Sequence, residues 1–180
     1  ETHEEWLRFR REDERLHVST NDLHRVDPAN VAEGNLAIGR EHVDRWWGLP
    51  PSYEPSDLVD IPSRFLLGPD RELQLRREAC AALAEMLDAA RADGVDIRVA
   101  SAHRSFDRQR QLFRGALREH GPGQRVVARP GHSEHQLGTT VDLCDPAGRH
   151  ALVPSFAGTP QGEWLRAHAA EHGFVQSYTD

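Results

Sequence analysis

Apolar residues recur at three- and four-residue spacing through Leu75, Ala79, Ala82, Leu83, Met86, Leu87 and Ala90. That period predicts an amphipathic helix, opened by Asp70 as its cap and running to about Asp93, with Gly94 as its stop. From Val95 to Ala100 the period drops to two: Val95, Ile97 and Val99 alternate with Asp96 and Arg98, as in a strand with one buried face. Ser105 is placed to cap a second helix with Phe106, Leu112, Phe113, Ala116 and Leu117 on its apolar side, closed by Gly121-Pro122-Gly123. Thr139 to Leu143 reads as a second strand, Val141 and Leu143 pointing one way and Thr140 and Asp142 the other. After a Pro/Gly loop over 145–160, Gln161 to His172 predicts a third helix stopped by Gly173, and Phe174-Val175-Gln176 begins another strand. The alternation of helix and strand predicts a small α+β domain with helices packed on a sheet.

The first third of the chain is less regular. Thr2-x-x-Glu5 has the form of a capping box opening a short, highly charged helix with Trp6 and Phe9 on one side. From Ser19 to Pro69 six prolines punctuate extended chain and turns, with Trp46, Trp47, Tyr53, Phe65 and Leu66 as its anchors. Such a segment is expected to wrap a domain instead of forming one.

Length and charge narrow the class. At 180 residues the chain suits one domain with its own core. Lys and Arg total 22 against 29 Asp and Glu, a net charge of −7, which argues against a protein that neutralises nucleic-acid phosphates. No apolar run approaches the ~20 residues that span a bilayer. The chain opens on Glu1, with no signal peptide in view, so a processed or cut-down product is expected. Cys80 and Cys144 could pair in an oxidising compartment, but two buried thiols is the simpler expectation.

The sharpest feature is Ser133-Glu134-His135-Gln136-Leu137-Gly138-Thr139-Thr140-Val141-Asp142. It sets a His in a tight turn seven positions before an Asp on the polar side of a strand, with Gly138 allowing the turn between them. Imidazole nitrogen and carboxylate oxygen are both good zinc ligands, and a rigid strand and turn could hold them at a fixed separation. Spacing alone leaves open that His135 caps a turn and Asp142 is an exposed strand residue.

Ser133, His135, Gly138, Thr140 and Asp142 fill the fixed positions of S-x-H-x-x-G-x-[AT]-x-D. The chain thereby resembles the zinc D-alanyl-D-alanine carboxypeptidase family related to the vancomycin-resistance carboxypeptidase and dipeptidase. Ser101-Ala102-His103-Arg104-Ser105-x-x-x-Gln109 is similar to the family's S-x-Y-R-S-x-x-x-Q block, with His103 where Tyr is usual. Leu49-Pro50-Pro51-x-Tyr53-x-Pro55-x-Asp57-Leu58 resembles the stretch before the family's first core helix. Trp164-Leu165 and Glu171-His172-Gly173-Phe174 resemble the helix and strand near its end. The likeness spans about residues 36–178. It implies a small antiparallel sheet with packed helices around a zinc cleft, an N-terminal helical or extended extension over 1–35 and a metallopeptidase domain over 36–180.

The resemblance also implies roles. His135 and Asp142 would be two of three protein ligands to one zinc ion. Arg104 would stabilise the charge on the scissile carbonyl oxygen or grip the substrate, and Gln109 and Ser133 would bind the peptide. Ser133 is no nucleophile, since no G-x-S-x-G elbow surrounds it. The family's remaining motif, E-x-x-W-H, carries the general base and the third ligand, and it does not occur in residues 1–180. Glu14-x-x-His17 has the residue types but lacks the Trp and lies at the wrong end. The motif is therefore expected past Asp180, and the 180 residues alone are expected to be inactive or nearly so.

The implied function is a bacterial peptidase, periplasmic or on the cell surface, that removes D-alanine from peptidoglycan stem peptides (D,D-carboxypeptidase type). L,D-carboxypeptidases, cell-wall endopeptidases and a non-catalytic wall-binding module on the same scaffold are the alternatives. The short helix-to-motif spacing suggests an open cleft suited to a polymer-borne peptide. The partner implied is a stem peptide ending in D-alanine, with no nucleic acid.

Overall fold

The computed structural model describes residues 22–25, 48–68 and 71–176. Six strands and three α-helices are present among them: β1 (Asp22–Arg25), β2 (Leu58–Asp60), β3 (Gln74–Arg76), α1 (Arg77–Ala92), β4 (Arg98–Ser101), α2 (Phe106–His120), β5 (Thr140–Cys144), α3 (Pro160–His168) and β6 (Phe174–Gln176). Four strands form one antiparallel sheet in the order β4-β5-β1-β6, and β2 pairs with β3 in a second, two-stranded antiparallel sheet. The α+β class and the antiparallel sheet agree with the sequence reading. The capping box at Thr2, the Glu14–His17 pair, Trp46, Trp47 and Asp70 lie outside the described residues.

Local chemistry accounts for most of the elements. Ser105 caps α2, its hydroxyl accepting from the Arg108 amide at 3.3 Å. Thr159 caps α3 by accepting from Gly162 N at 3.1 Å, with Pro160 at the first helical position, where a missing N–H costs nothing. α1 lays Ala79, Ala82, Leu83, Met86, Leu87 and Ala90 on one core of buried side chains together with Phe65, Leu75, Val99, Val141, Leu143, Phe156 and Phe174.

Three expectations change. The first helix begins at Arg77, with Arg76 in the cap position expected of Asp70, because the stretch before it pairs with β2 (Leu58 opposite Arg76, Val59 opposite Leu75). Leu75, whose spacing fits the helix, is buried as a strand residue. The third helix is α-helical only to His168 and finishes as a 3-10 turn over Ala169–His172. And Asp142 is not on a solvated face: every residue of β5 is buried, because β1 and β4 flank it and both of its faces are covered. β1 itself comes from the stretch read as extended chain and occupies a central place in the sheet.

One irregularity positions the site. Val99 lies opposite Leu143 but Ser101 lies opposite Asp142, so Ala100 is an extra residue in β4. Such a bulge bends its strand and re-aims the residues after it. Here those residues are Ser101–Arg104, the segment that reaches the loop carrying His135.

Candidate active site

His135 sits in a 3-10 turn, Glu134–Leu137, that leads directly into β5. Gly138 ends the turn at φ 74°, a left-handed conformation that L side chains rarely adopt. A Cβ there would also press on Arg76, Leu58 and Pro55 at 3.1 Å. The Gly138 carbonyl accepts from Arg76 N at 2.8 Å, and Arg76 Nε donates to Asp57 Oδ1 at 2.9 Å, so the small sheet is fastened to the turn.

The turn and the strand bring the two predicted ligands together. His135 Nε2 lies 3.5 Å from Asp142 Oδ2, and the two residues are 6% and 1% exposed. The other ring nitrogen, Nδ1, is 2.7 Å from the Ala102 carbonyl oxygen. A carbonyl can only accept, so Nδ1 carries a hydrogen and Nε2 is the ring nitrogen turned toward Asp142. A metal-ligating imidazole has this same arrangement: one nitrogen donates to a carbonyl and the other faces the ion.

The donor set fits a zinc ion as far as it goes. Two ligands each ~2.0–2.2 Å from a tetrahedral zinc lie roughly 3.3–3.6 Å apart, which brackets the observed 3.5 Å. Asp142 Oδ1 is buried without a hydrogen-bond partner. A buried carboxylate oxygen in that state is costly, and a cation would satisfy it. Among the described residues no group of three His, Cys, Asp or Glu side chains converges on one point, so the described chain offers a pair and not a complete set.

Arg104 stands at the rim. Its guanidinium is 3.9 Å from Asp142 Oδ2, donates from NH1 to Gln109 Oε1 at 2.9 Å and from NH2 to Ser101 Oγ at 3.2 Å, while its backbone N–H donates to the His135 carbonyl at 3.1 Å. Gln109 is 1% exposed, and its Nε2 donates to the Ala128 carbonyl at 2.7 Å. Ser133 is buried at the entry to the 3-10 turn, two residues before His135, and its side chain does not cap that turn. A groove of about 230 Å3 lies between Pro51–Glu54 and Ser105–Asp107, the residues that directly follow Arg104 in the chain.

Sequence reasoning missed two parts. The Ala102 carbonyl that orients His135 is backbone and leaves no residue signal. Gln136, at a variable position of the motif, is fully buried and donates to the carbonyls of Pro50 (3.4 Å) and Tyr53 (3.2 Å), tying the 50–53 segment to the turn. His103, in the position where Tyr is usual, is half-buried with Nε2 unpartnered, and burial pushes its pKa down against the opposing pull of Glu54. Three further described histidines are engaged elsewhere: His150 pairs with Asp145 at 2.8 Å, and His168 and His172 stack on Trp164. Hydrogen bonds from His150 and from the Arg149 amide hold the Asp145 carboxyl below its ordinary range, against its burial. Cys80 and Cys144 are separate buried thiols, and burial pushes Cys144 up to about 11.

The fold and this cluster define a class first: a small α+β domain with a dry His–Asp pair and a tethered Arg in one cleft. The VanY family of D-alanyl-D-alanine carboxypeptidases matches residues 72–180, and the chain belongs to that family. YodJ of Bacillus subtilis (strain 168), which bears a carboxypeptidase name, is 34% identical over 168 residues, covering 88% of this chain and 59% of YodJ. The chain thus spans about three-fifths of that relative's length. Among solved structures, the LD-carboxypeptidase LdcB aligns with a TM-score of 0.67 at 35% identity, over 73% of this chain and 63% of LdcB. The vancomycin-resistance D,D-pentapeptidase VanY, solved with Zn(II), aligns at 0.54 and 26% identity, over 74% of this chain and 72% of that one. No described helix is long and apolar enough to cross a membrane.

Proposed function

We propose that the protein is a zinc-dependent carboxypeptidase that removes a terminal D-alanine from peptidoglycan stem peptides, outside the cytoplasmic membrane of a bacterium. The observation that carries this reading is the buried His135–Asp142 pair at 3.5 Å, with an unpartnered oxygen on Asp142, in a chain of the VanY family. His135 through Nε2 and Asp142 through its carboxylate would hold the metal. When bound, zinc supplies Lewis acidity toward the scissile carbonyl and a water whose pKa is lowered toward neutrality.

The chain's own residues do the rest. The Ala102 carbonyl fixes the His135 tautomer and ring direction. The guanidinium of Arg104 supplies fixed positive charge where the carbonyl oxygen becomes negative. Such a donor is worth most in a site that excludes water, and here it needs no reorganisation when the charge develops. Ser133, beside His135, and the groove along Pro51–Glu54 would position the peptide. The E-x-x-W-H residues that the family resemblance assigns to proton transfer and to the third ligand do not occur in residues 1–180.

The bond cleaved divides two readings. A D,D-carboxypeptidase is the first. An L,D-carboxypeptidase is the second, favoured by the higher TM-score and identity of LdcB. The deciding experiment measures D-alanine release by the whole gene product from two stem peptides, one ending in D-Ala-D-Ala and one in which D-alanine is preceded by an L-centre. Release from the first alone supports the D,D reading, and release from the second alone supports the L,D reading. Zinc-independent turnover, or none on either peptide with zinc present, contradicts both.

A further inference from the structure

We propose that Gln136 is a positioning residue: through segment 50–53 it sets one wall of the groove that takes the part of the stem peptide upstream of the released D-alanine, in register with His135. This rests on the reading of that groove as the place of the peptide. A carboxypeptidase releases only the last residue, so the part left to be held is the upstream one.

Both walls of the groove are fastened to one short element, the 3-10 turn Glu134–Leu137. One wall is Ser105, Phe106 and Asp107. It follows Arg104, whose amide donates to the His135 carbonyl at 3.1 Å. The other wall is 51–54, and Gln136 fastens it: Nε2 donates to the Pro50 carbonyl at 3.4 Å and to the Tyr53 carbonyl at 3.2 Å. Both partners are carbonyls, so the NH2 group faces the segment and Oε1 is turned away from it. Pro50 and Tyr53 are also closed on each other, the Tyr53 amide donating to the Pro50 carbonyl at 3.0 Å. The wall is therefore a turn clamped as a unit, and its clamp is the residue next to His135 in the chain.

Stability alone does not account for a glutamine here. Gln136 is fully buried, and its Oε1 has no hydrogen-bond partner. An orphaned acceptor in a dry place is a cost that an apolar side chain of the same shape would avoid. What the amide supplies is two donated bonds, and both go to the groove wall. A separate tie holds the start of that segment. The Leu49 amide donates to the Gly131 carbonyl at 2.8 Å, and a Cβ on Gly131 would stand only 2.7 Å from the Leu49 oxygen. Loss of the Gln136 amide would leave this tie in place and free the residues that line the groove. The upstream peptide would then lose a wall held in register with the metal-binding turn.

The test uses the whole gene product with Gln136→Met, which keeps length and apolar packing and removes both donated bonds. Two substrates are compared: the stem peptide that the native protein cleaves, and the acetylated dipeptide at its C-terminal end, too short to reach along the groove. Gln136→Met should raise KM for the stem peptide by roughly 5- to 20-fold, with kcat within about threefold. KM for the acetylated dipeptide should stay within about twofold, and zinc content should be unchanged. Amide hydrogen exchange supplies a readout that does not depend on turnover. Exchange over 49–57 should quicken on the order of tenfold in Gln136→Met, while exchange over α1 stays as in the native protein.

An equal rise in KM on both substrates, a loss of zinc, or unchanged exchange over 49–57 would overturn the proposal. So would exchange that quickens equally in α1, which would make Gln136 a general stabiliser of the fold. If Gln136→Met does not fold, Gln136→Asn, whose amide is one methylene short of both carbonyls, decides by the same readouts. If the native protein releases no D-alanine, the peptidase reading fails. Calorimetric binding of the same two peptides then decides this one: a loss of affinity in the variant confined to the stem peptide supports it, and equal affinities in variant and native protein overturn it.

Discussion

The two faces of β5 are equally dry and are held by different means. Val141 and Leu143 point into the cluster formed by Leu83, Met86, Val99 and Phe174, where contact is non-directional and every atom is satisfied by packing. Thr140 and Asp142 point the other way, and Asp142 meets the polar groups of His135 at 3.5 Å and Arg104 at 3.9 Å. On that face satisfaction is incomplete: Asp142 Oδ1 is buried and has no hydrogen-bond partner. Unpaired polar atoms in a dry setting each cost on the order of 1–3 kcal/mol. The apolar face explains why the domain folds; the polar face carries the His135–Asp142 pair on which the proposed function rests.

The contrast can be broken at Arg104. If the polar face is chemical, Arg104→Ala should lower kcat by roughly 10²–10³-fold while zinc content stays unchanged. A change confined to KM would make Arg104 a substrate grip, and no change in either constant would make the polar face structural.

The complementary substitution lies next to Asp142 on the same strand. Leu143→Ala should cost about 2–5 kcal/mol of stability in denaturant unfolding, through lost burial and the cavity left behind. KM and kcat of the folded fraction should remain within about twofold. A large loss of kcat at full folding would mean that the two faces are coupled and not separate.

Legibility in the sequence divides along the same line. α2 is readable because its signals are local: Ser105 caps it and the glycines at 121 and 123 end it. Reading Asp70 as the cap starts α1 six residues too early, because Leu75 satisfies both the helical period and a strand buried against β2. A pairing partner in β2, distant along the chain, decides between the two. β1, Asp-Leu-His-Arg, has one apolar residue in four, so no alternation announces it; its place in the sheet comes from pairing with β5 and β6. In the site, His135 and Asp142 are readable because they fill fixed positions of the family motif; their spacing alone leaves the pair open. The β4 bulge, the Ala102 carbonyl and the buried amide of Gln136 are not, since backbone geometry and burial of a polar side chain leave no periodic trace.

A smaller effect sharpens the comparison at its margin. Burial lowers the His103 pKa, outweighing the attraction of Glu54. A lowered imidazole pKa contributes stability above the unfolded value near ~6.5, lost as pH falls below it. His103→Phe should therefore flatten the fall in Tm between about pH 7 and 5, read by thermal denaturation. An unchanged acid slope would place the acid sensitivity elsewhere.

The most direct measurement is zinc content in the purified whole gene product and in His135→Ala, by elemental analysis after equilibration with limiting zinc. The native protein should hold about one zinc per chain, and the variant should lose most of it while remaining folded, because the ion's only described nitrogen donor is gone. Equal zinc in the two proteins would contradict the assignment of His135 and Asp142 as the metal-binding pair, and with it the peptidase chemistry built on them.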